Sequence, residues 1–291
     1  MAGGDPMRLA TFETEHGLRP GVLAGPDTWA PLPYPSLLAL IQDGDSGLEA
    51  ARRALASGRP LPLAEVRLAS PIPDPRRNLF CLGWNYAEHS REAAAARGRE
   101  AKLPSRPIFF TKATTTVLAP GARIPIHAAV TSQLDWEVEL GVVLGRGGAD
   151  IPEARALEHV FGYTVINDVS AREVQSGHGG QFFKGKSLDG TCPMGPWIVT
   201  RDEVPDPQAL RLACRVNGVT KQEGSTSDMI FGVKAILDWL SRGMTLLPGD
   251  ILATGTPAGV GFARTPPEFL KPGDVVECEV EGIGVLRNEV G

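Results

Sequence analysis

The 291-residue chain has little that would place it in a membrane, on nucleic acid or outside the cell. No apolar run is long enough to cross a bilayer, and the amino terminus lacks the basic-then-apolar order of a signal peptide. A net charge of -5 with no basic block argues against nucleic acid as a main partner. Cysteine is scarce: Cys81, Cys192, Cys214 and Cys278 are scattered without a Cys-x-x-Cys pair, so neither a zinc site nor a disulfide framework is signalled. Free buried thiols in a reducing cytoplasm are expected. Internal repeats and low-complexity tracts are missing. Few stretches support a long helix, whereas 34 glycines and 25 prolines predict many turns and a strand-rich protein.

At 42% hydrophobic content a chain of this length can bury a large core. Met1 to Pro6 reads as a flexible leader, with the fold beginning near Met7. Strand-like pieces at Arg8 to Phe12 and Gly21 to Ala24 precede an alanine-rich helical stretch from Leu48 to Ser57. Pro71-Ile72-Pro73-Asp74-Pro75 stiffens the chain and stops either element, which divides it into a small amino-terminal α/β domain, 1–72, and a larger domain, 73–291. In the larger part, Asn85 to Arg97 favours a helix stopped by Gly98, and Met229 to Arg242 places Ile230, Val233, Ile236, Leu237 and Leu240 on one helical stripe. Pro248-Gly249-Asp250 and Pro272-Gly273-Asp274 each announce a strand through a turn whose glycine takes positive φ. Strands dominate after the boundary, so the class is α+β, mainly β, with a rolled or sandwiched sheet.

Leu134 to Leu144 alternates Trp136, Val138, Leu140, Val142 and Leu144 with other residues, as a half-buried strand does, and so puts Glu137 and Glu139 on one face. Taken alone, Glu-x-Glu is the ordinary grammar of a solvated strand face. A third carboxylate, Asp168, ends the strand-like Phe161 to Asn167. Three such groups with no Cys or His pair nearby point to a hard divalent cation, Mg2+ or Mn2+. Gly180 to Ser187 matches the phosphate-loop pattern Gly-x4-Gly-Lys-Ser, but Gly190 and Pro193 oppose the helix such a loop must open, so Lys186 is either a surface charge or a cation facing the acidic site. His89 and Glu92, three apart on the expected helix, share a face and form a candidate general base, although that spacing alone is more often a solvated surface. His178 is either a contact at a site entrance or loop polarity, and Thr254 to Gly261 is either an anion-binding loop or a tight turn.

In order, Gly83-Trp84-Asn85-Tyr86-Ala87-Glu88-His89, Glu137-Val138-Glu139-Leu140-Gly141, Asn167-Asp168-Val169-Ser170-Ala171-Arg172, Gly185-Lys186-Ser187, Met229-Ile230-Phe231 and Thr254-Gly255-Thr256-Pro257 resemble the fumarylacetoacetate hydrolase family from about Asn78 onward. The resemblance implies a β-sandwich roll, a homodimer, and Mg2+ or Mn2+ held by Glu137, Glu139 and Asp168. It makes His89 and Glu92 a water-activating dyad on a lid, Lys186 and Gln175 polar partners of the reacting group, Arg172 their support and Thr256 a substrate-carboxylate contact. The eponymous hydrolase carries a further acidic ligand before its histidine, and Cys81 to Asn85 offers none, which points to the smaller bacterial-type branch. The implied reaction is hydrolytic C–C cleavage of an acylpyruvate-like 2,4-dioxo acid to pyruvate and a carboxylic acid. Oxaloacetate decarboxylation or a related 2-oxo acid isomerisation is the alternative, and a catalytically weak metabolite-sensing or scaffold protein is the alternative of another class.

Overall fold

A computed structural model describes residues 7–56 and 60–291; the Met1 to Pro6 leader and the expected helix end at Ser57 lie outside the described residues. The amino-terminal part contains β1 (Arg8–Thr14), β2 (Gly17–Gly25), β3 (Thr28–Pro31), α1 (Leu37–Gln42), α2 (Asp45–Ala56), β4 (Leu61–Pro62) and β5 (Arg67–Ala69). Next come β6 (Leu79–Gly83), α3 (Ala87–Ala96), β7 (Ile108–Lys112), β8 (Val117–Leu118), β9 (Arg123–Ile124), β10 (Leu134–Asp135), β11 (Val138–Leu144), β12 (Val160–Asn167) and β13 (Ser170–Ala171). The helical turns α4 (Arg172–Gly177) and α5 (Phe183–Lys186) lead into β14 (Cys192–Thr200), β15 (Arg211–Val216), β16 (Val219–Ser225), α6 (Val233–Ser241), β17 (Ile251–Ala253), β18 (Val275–Val280) and β19 (Gly284–Val290).

Two sheets make the sandwich. The larger runs β4-β3-β2-β1-β14-β12-β11-β17-β6-β7, with β5 on β1 and β8 on β14, and the smaller runs β16-β15-β18-β19-β9. Pairing is mostly antiparallel, but β6 joins β17 in parallel, a connection that draws the chain from Leu79 to Gly83 beside a strand formed some 170 residues later. The expected division falls in the Pro71 to Pro75 stretch, and strands from its two sides meet directly where Leu9 of β1 faces Ile198 of β14.

The strand carrying the acidic motif differs from its half-buried expectation. It breaks at Trp136 and Glu137, between β10 and β11, and every residue of β11 is buried. Both faces are covered because the two sides of the large sheet meet different apolar layers. Val138, Leu140, Val142 and Leu144 join the cluster containing Leu212, Cys214, Val276, Cys278 and Leu286 of the smaller sheet. Val143 joins the opposite cluster with Leu37, Leu40, Ile41 and Ala51 of α1 and α2. The amino-terminal segment thus supplies the cover that turns an edge-like alternation into a central strand.

Helix ends follow local chemistry. After α3, Gly98 takes φ 62°, while Gly98 N–H donates to Ala95 O and Arg99 N–H to Ala94 O, the paired bonds of a Schellman stop. Helix α6 starts at Val233, later than the stripe predicts, because Ile230 N–H is already given to Asn85 O and Met229 bridges Tyr86. The two Pro-Gly-Asp turns share one design: Gly249 and Gly273 have φ 88° and 86°, and each following aspartate accepts the N–H three residues earlier, Asp250 from Leu247 and Asp274 from Lys271.

Leu140 is fully buried in the centre of this arrangement. Leu140→Ala should therefore lower unfolding free energy by about 2–5 kcal/mol in urea titrations, whereas Leu18→Ala, at an exposed position, should change it by less than about 0.5 kcal/mol.

Candidate active site

At the end of β11 and β12 the chain buries a cluster of opposite charges. Glu137 sits in the break before β11, Glu139 within it, and Asp168 one residue past β12. All three are buried, and one carboxylate oxygen from each lies within 4.8 Å of the others. Three cations reach into them. Lys186 Nζ is 2.7 Å from Glu137 Oε2 and 2.8 Å from Asp168 Oδ2, and Lys112 Nζ is 2.8 Å from Asp168 Oδ1. Arg172 bridges Glu137 Oε1 and Asp135 Oδ2, both at 2.7 Å.

The electrostatic consequences differ between neighbours. Burial pushes the Glu137 carboxyl up, but Lys186, Arg172 and His89 outweigh it and hold the group down to about 2. Glu139 has no cation in contact; burial first, then the charges of Asp168 and Glu137, push it well above the usual carboxylate range. Burial opposes the charge on Lys186, yet Asp168 and Glu137 outweigh it and keep the ammonium protonated. Four buried carboxylates, Asp135, Glu137, Glu139 and Asp168, thus face three buried cations, Lys112, Arg172 and Lys186.

That donor set fits a divalent ion. Its atoms are hard carboxylate oxygens, Glu139 Oε2 is engaged only by Gly255 N–H at 2.6 Å, and Asp168 Oδ1 is buried without an aligned hydrogen-bond donor despite the nearby Lys112 ammonium. A dication beside Glu139 would supply the positive charge the cluster lacks.

The phosphate-loop lookalike has another use. Lys186 ends the one-turn α5, and Gly190 follows at φ 67° rather than in a helix. Gly185 is needed for packing: a Cβ there would meet Gln175 N at 2.4 Å and Gln175 Cα at 2.5 Å. This contact seats α5 on α4 and brings Lys186 and Gln175 to one wall. Gln175 Oε1 accepts from Arg172 Nη1 at 3.2 Å.

The opposite wall is α3. His89 Nδ1 lies 2.9 Å from Glu92 Oε1, and both Glu92 oxygens accept Gly259 N–H, at 3.0 and 2.9 Å. A carboxylate partner implies that Nδ1 carries the hydrogen, leaving Nε2 with the lone pair. Asn85 anchors the start of this helix. Its amide donates to Phe231 O and Thr254 O and accepts from Phe231 N–H, with no exposed surface.

One cavity gathers His89, Glu137, Arg172, Gln175, Lys186 and Thr256. Glu92 stands behind His89, while Glu139 and Asp168 lie deeper than the lining. The Thr256 hydroxyl donates to Val138 O at 2.9 Å and accepts from Gln222 at 2.7 Å, so in this state its hydrogen is not free for a ligand. His178 is exposed, bonded to Val174 O at 2.8 Å and outside the cavity lining. Sequence reasoning missed Asp135, Lys112 and Arg97. Asp135 had a signal, the alternation of acids at 135, 137 and 139. Lys112, at the end of the apolar Ile108-Phe109-Phe110-Thr111, had only a weak one.

A buried carboxylate trio that could hold a divalent ion, beneath a sandwich of this topology and walled by a His–Glu pair and a buried lysine, defines a class, and residues 78–291 match the family model for the fumarylacetoacetate (FAA) hydrolase C-terminal region. The chain belongs to the fumarylacetoacetate hydrolase family. Among its relatives, oxaloacetate tautomerase YisK of Bacillus subtilis (strain 168) is 46% identical over 266 residues, 88% of this chain and 86% of that protein. The mitochondrial oxaloacetate tautomerase Fahd2a of Rattus norvegicus is 40% identical, over 98% of this chain and 91% of that protein. The solved fumarylacetoacetate hydrolase of the psychrophile Exiguobacterium antarcticum superposes with a TM-score of 0.84 at 42% identity, covering 98% of this chain and 99% of that one.

Glu139→Gln should abolish stoichiometric Mn2+ binding in titration calorimetry while leaving the circular dichroism spectrum unchanged. Wild-type stoichiometry in the variant would show the ion is held elsewhere. Gly185→Ala should reduce turnover and melting temperature together by pushing α5 off α4, and ATP should bind neither protein.

Proposed function

We propose that the chain is a divalent-metal-dependent enzyme that works on the enolate of a 2-oxo acid, with keto–enol interconversion of oxaloacetate as its first activity. The observation that carries this is the placement of His89, with Nδ1 held by Glu92, in the lining of the same cavity as Glu137 of the carboxylate trio. The names of the relatives agree with the substrate class.

A Mg2+ or Mn2+ ion held by Glu137, Glu139 and Asp168 would supply Lewis-acid polarisation of the 2-oxo group, which acidifies the neighbouring C–H. The side chains then divide the work. His89 Nε2 takes the proton from C3 and, as imidazolium, gives it to the 2-oxo oxygen, with the reverse transfer running from enol to ketone; Glu92 stabilises the imidazolium formed in between, and the Gly259 N–H holds the Glu92 carboxylate in place. Lys186, kept charged by Asp168 and Glu137, lends a positive field to the developing oxyanion, and the Gln175 amide lies on the same wall to hydrogen-bond it. Arg172 fixes Glu137 and Gln175 in register. The Thr254 to Gly261 loop can meet a substrate carboxylate through backbone N–H groups, since the Thr256 hydroxyl is engaged.

A second reading uses the same parts. With a water beside His89 Nε2, the dyad would activate it for attack on the C4 carbonyl of an acylpyruvate, giving pyruvate and a carboxylic acid. Glu92 favours this reading too, because a rigidly held His–Glu pair suits water as well as carbon acids. The homodimer implied by the family belongs to the same proposal.

His89→Asn and Glu92→Gln should each slow the decay of the oxaloacetate enol absorbance under enzyme catalysis by about 10²–10⁴-fold and about tenfold or more respectively. Retention of the wild-type rate by His89→Asn would remove the base assignment. Assays of acetylpyruvate cleavage in the same preparation rank the two readings: faster turnover of acetylpyruvate than of oxaloacetate places hydrolysis first.

A further inference from the structure

Arg97 follows the last turn of α3 and lines the cavity together with Ala93 and His89, four and eight residues before it, as one stripe continuing from the helix. Its guanidinium stacks over two aromatic rings, 5.0 Å from the Phe262 centroid and 5.6 Å from that of Trp84. Trp84 is held with a backbone φ of 59°, a conformation an aromatic residue rarely adopts. Among the described residues no carboxylate pairs with Arg97. Its partial burial first, then the like charges of Arg172 and Arg99, lower its pKa.

The other cations of this cavity are committed. Arg172 is bound by Asp135 and Glu137, and Lys186 by Glu137 and Asp168. Arg97 is therefore the one cation in the lining, among the described residues, whose charge is not answered by a protein carboxylate. A planar fork braced by two rings and lacking an acid partner is suited to a carboxylate arriving from solution, which it can take in two parallel hydrogen bonds.

We infer that Arg97 receives the carboxylate of the substrate that lies away from the acidic trio, and so selects dicarboxylic 2-oxo acids over those with an uncharged tail. This rests on the 2-oxo acid reading above and deepens it. Because Arg97 caps the helix α3 that carries His89, anchoring the distal carboxylate also draws the base toward C3, which couples recognition of the second charge to proton transfer.

Malate and lactate provide a binding test free of turnover, since they share the 2-hydroxy acid end and differ by the distal carboxylate. In titration calorimetry with Mg2+ present, wild-type protein should hold malate about 10- to 100-fold more tightly than lactate, the span of one charge-assisted pair. Arg97→Gln should collapse that ratio toward one while leaving oxalate, which has no distal group, at wild-type affinity. If the Gln variant loses oxalate as well, Arg97→Met, which keeps the stem against Trp84 and Phe262, decides by the same ratio. A malate-to-lactate ratio that survives the substitution, or one near one in the wild type, would overturn the assignment. Failure of oxaloacetate turnover with the ratio intact would remove the proposed reaction and keep Arg97 as a dicarboxylate receptor.

Discussion

The structure depends on keeping four carboxylates and three cations out of water in one place. Each isolated charge would cost several kcal/mol to bury, so none of Asp135, Glu137, Asp168, Lys112, Arg172 and Lys186 is tolerable without its partners. The pairs are not interchangeable. Glu137 is held by two cations and kept ionised to a low pH, whereas Glu139 has none in contact and is pushed up. That imbalance suits the cluster to hold a small divalent ion rather than to close into a salt-bridge network.

Positioning such a cluster demands a backbone that does not yield, and the sheet order provides it. Strands β11 and β12 are central in the larger sheet, buried on both faces, and the carboxylates emerge where their ladder ends. Side chains distant in sequence then lock the loops. Asn85 joins the start of α3 to Phe231 and Thr254, Gln222 fixes Thr256 and Val138 N–H, and Asp135 accepts Gly261 and Phe262 N–H. The His–Glu pair rests on Gly259, whose φ of 101° and 2.2 Å Cβ approach to Lys221 O exclude any larger residue without movement. Loop chemistry is thus built on sheet rigidity, as orientation of a base to within a fraction of an ångström requires.

On the proposed reading, a shared enolate would let one scaffold serve tautomerisation, decarboxylation and C–C hydrolysis. On that reading the acidic trio and the lysine act on the common 2-oxo acid end. What differs is the group at C3 and C4, and that end of the cavity is walled by α3 and by Trp84, Arg97 and Phe262. Specificity would then belong to the α3 side of the cavity and general chemistry to the sheet side.

Much of this was legible in the residues. The carboxylates of Glu137, Glu139 and Asp168, the His89–Glu92 spacing, the rejection of Gly180 to Ser187 as a phosphate loop and both Pro-Gly-Asp turns follow from local rules, because strand period, helix period and turn chemistry are properties of adjacent residues. What adjacency could not decide was burial and partnership. The alternation from Leu134 to Leu144 read as a half-exposed strand, yet β11 is covered on both sides because α1 and α2 pack on one face and the smaller sheet on the other. Lys112 meets Asp168 across 56 residues, Arg172 meets Asp135 across 37, and Arg97 is left without an acid among the described residues, each a result of which segments pack together. The amino-acid order determined the types of chemistry present; the tertiary structure decided which charges cancel and which remain free to bind, since electrostatic energy depends on distance and exposure, not on position along the chain.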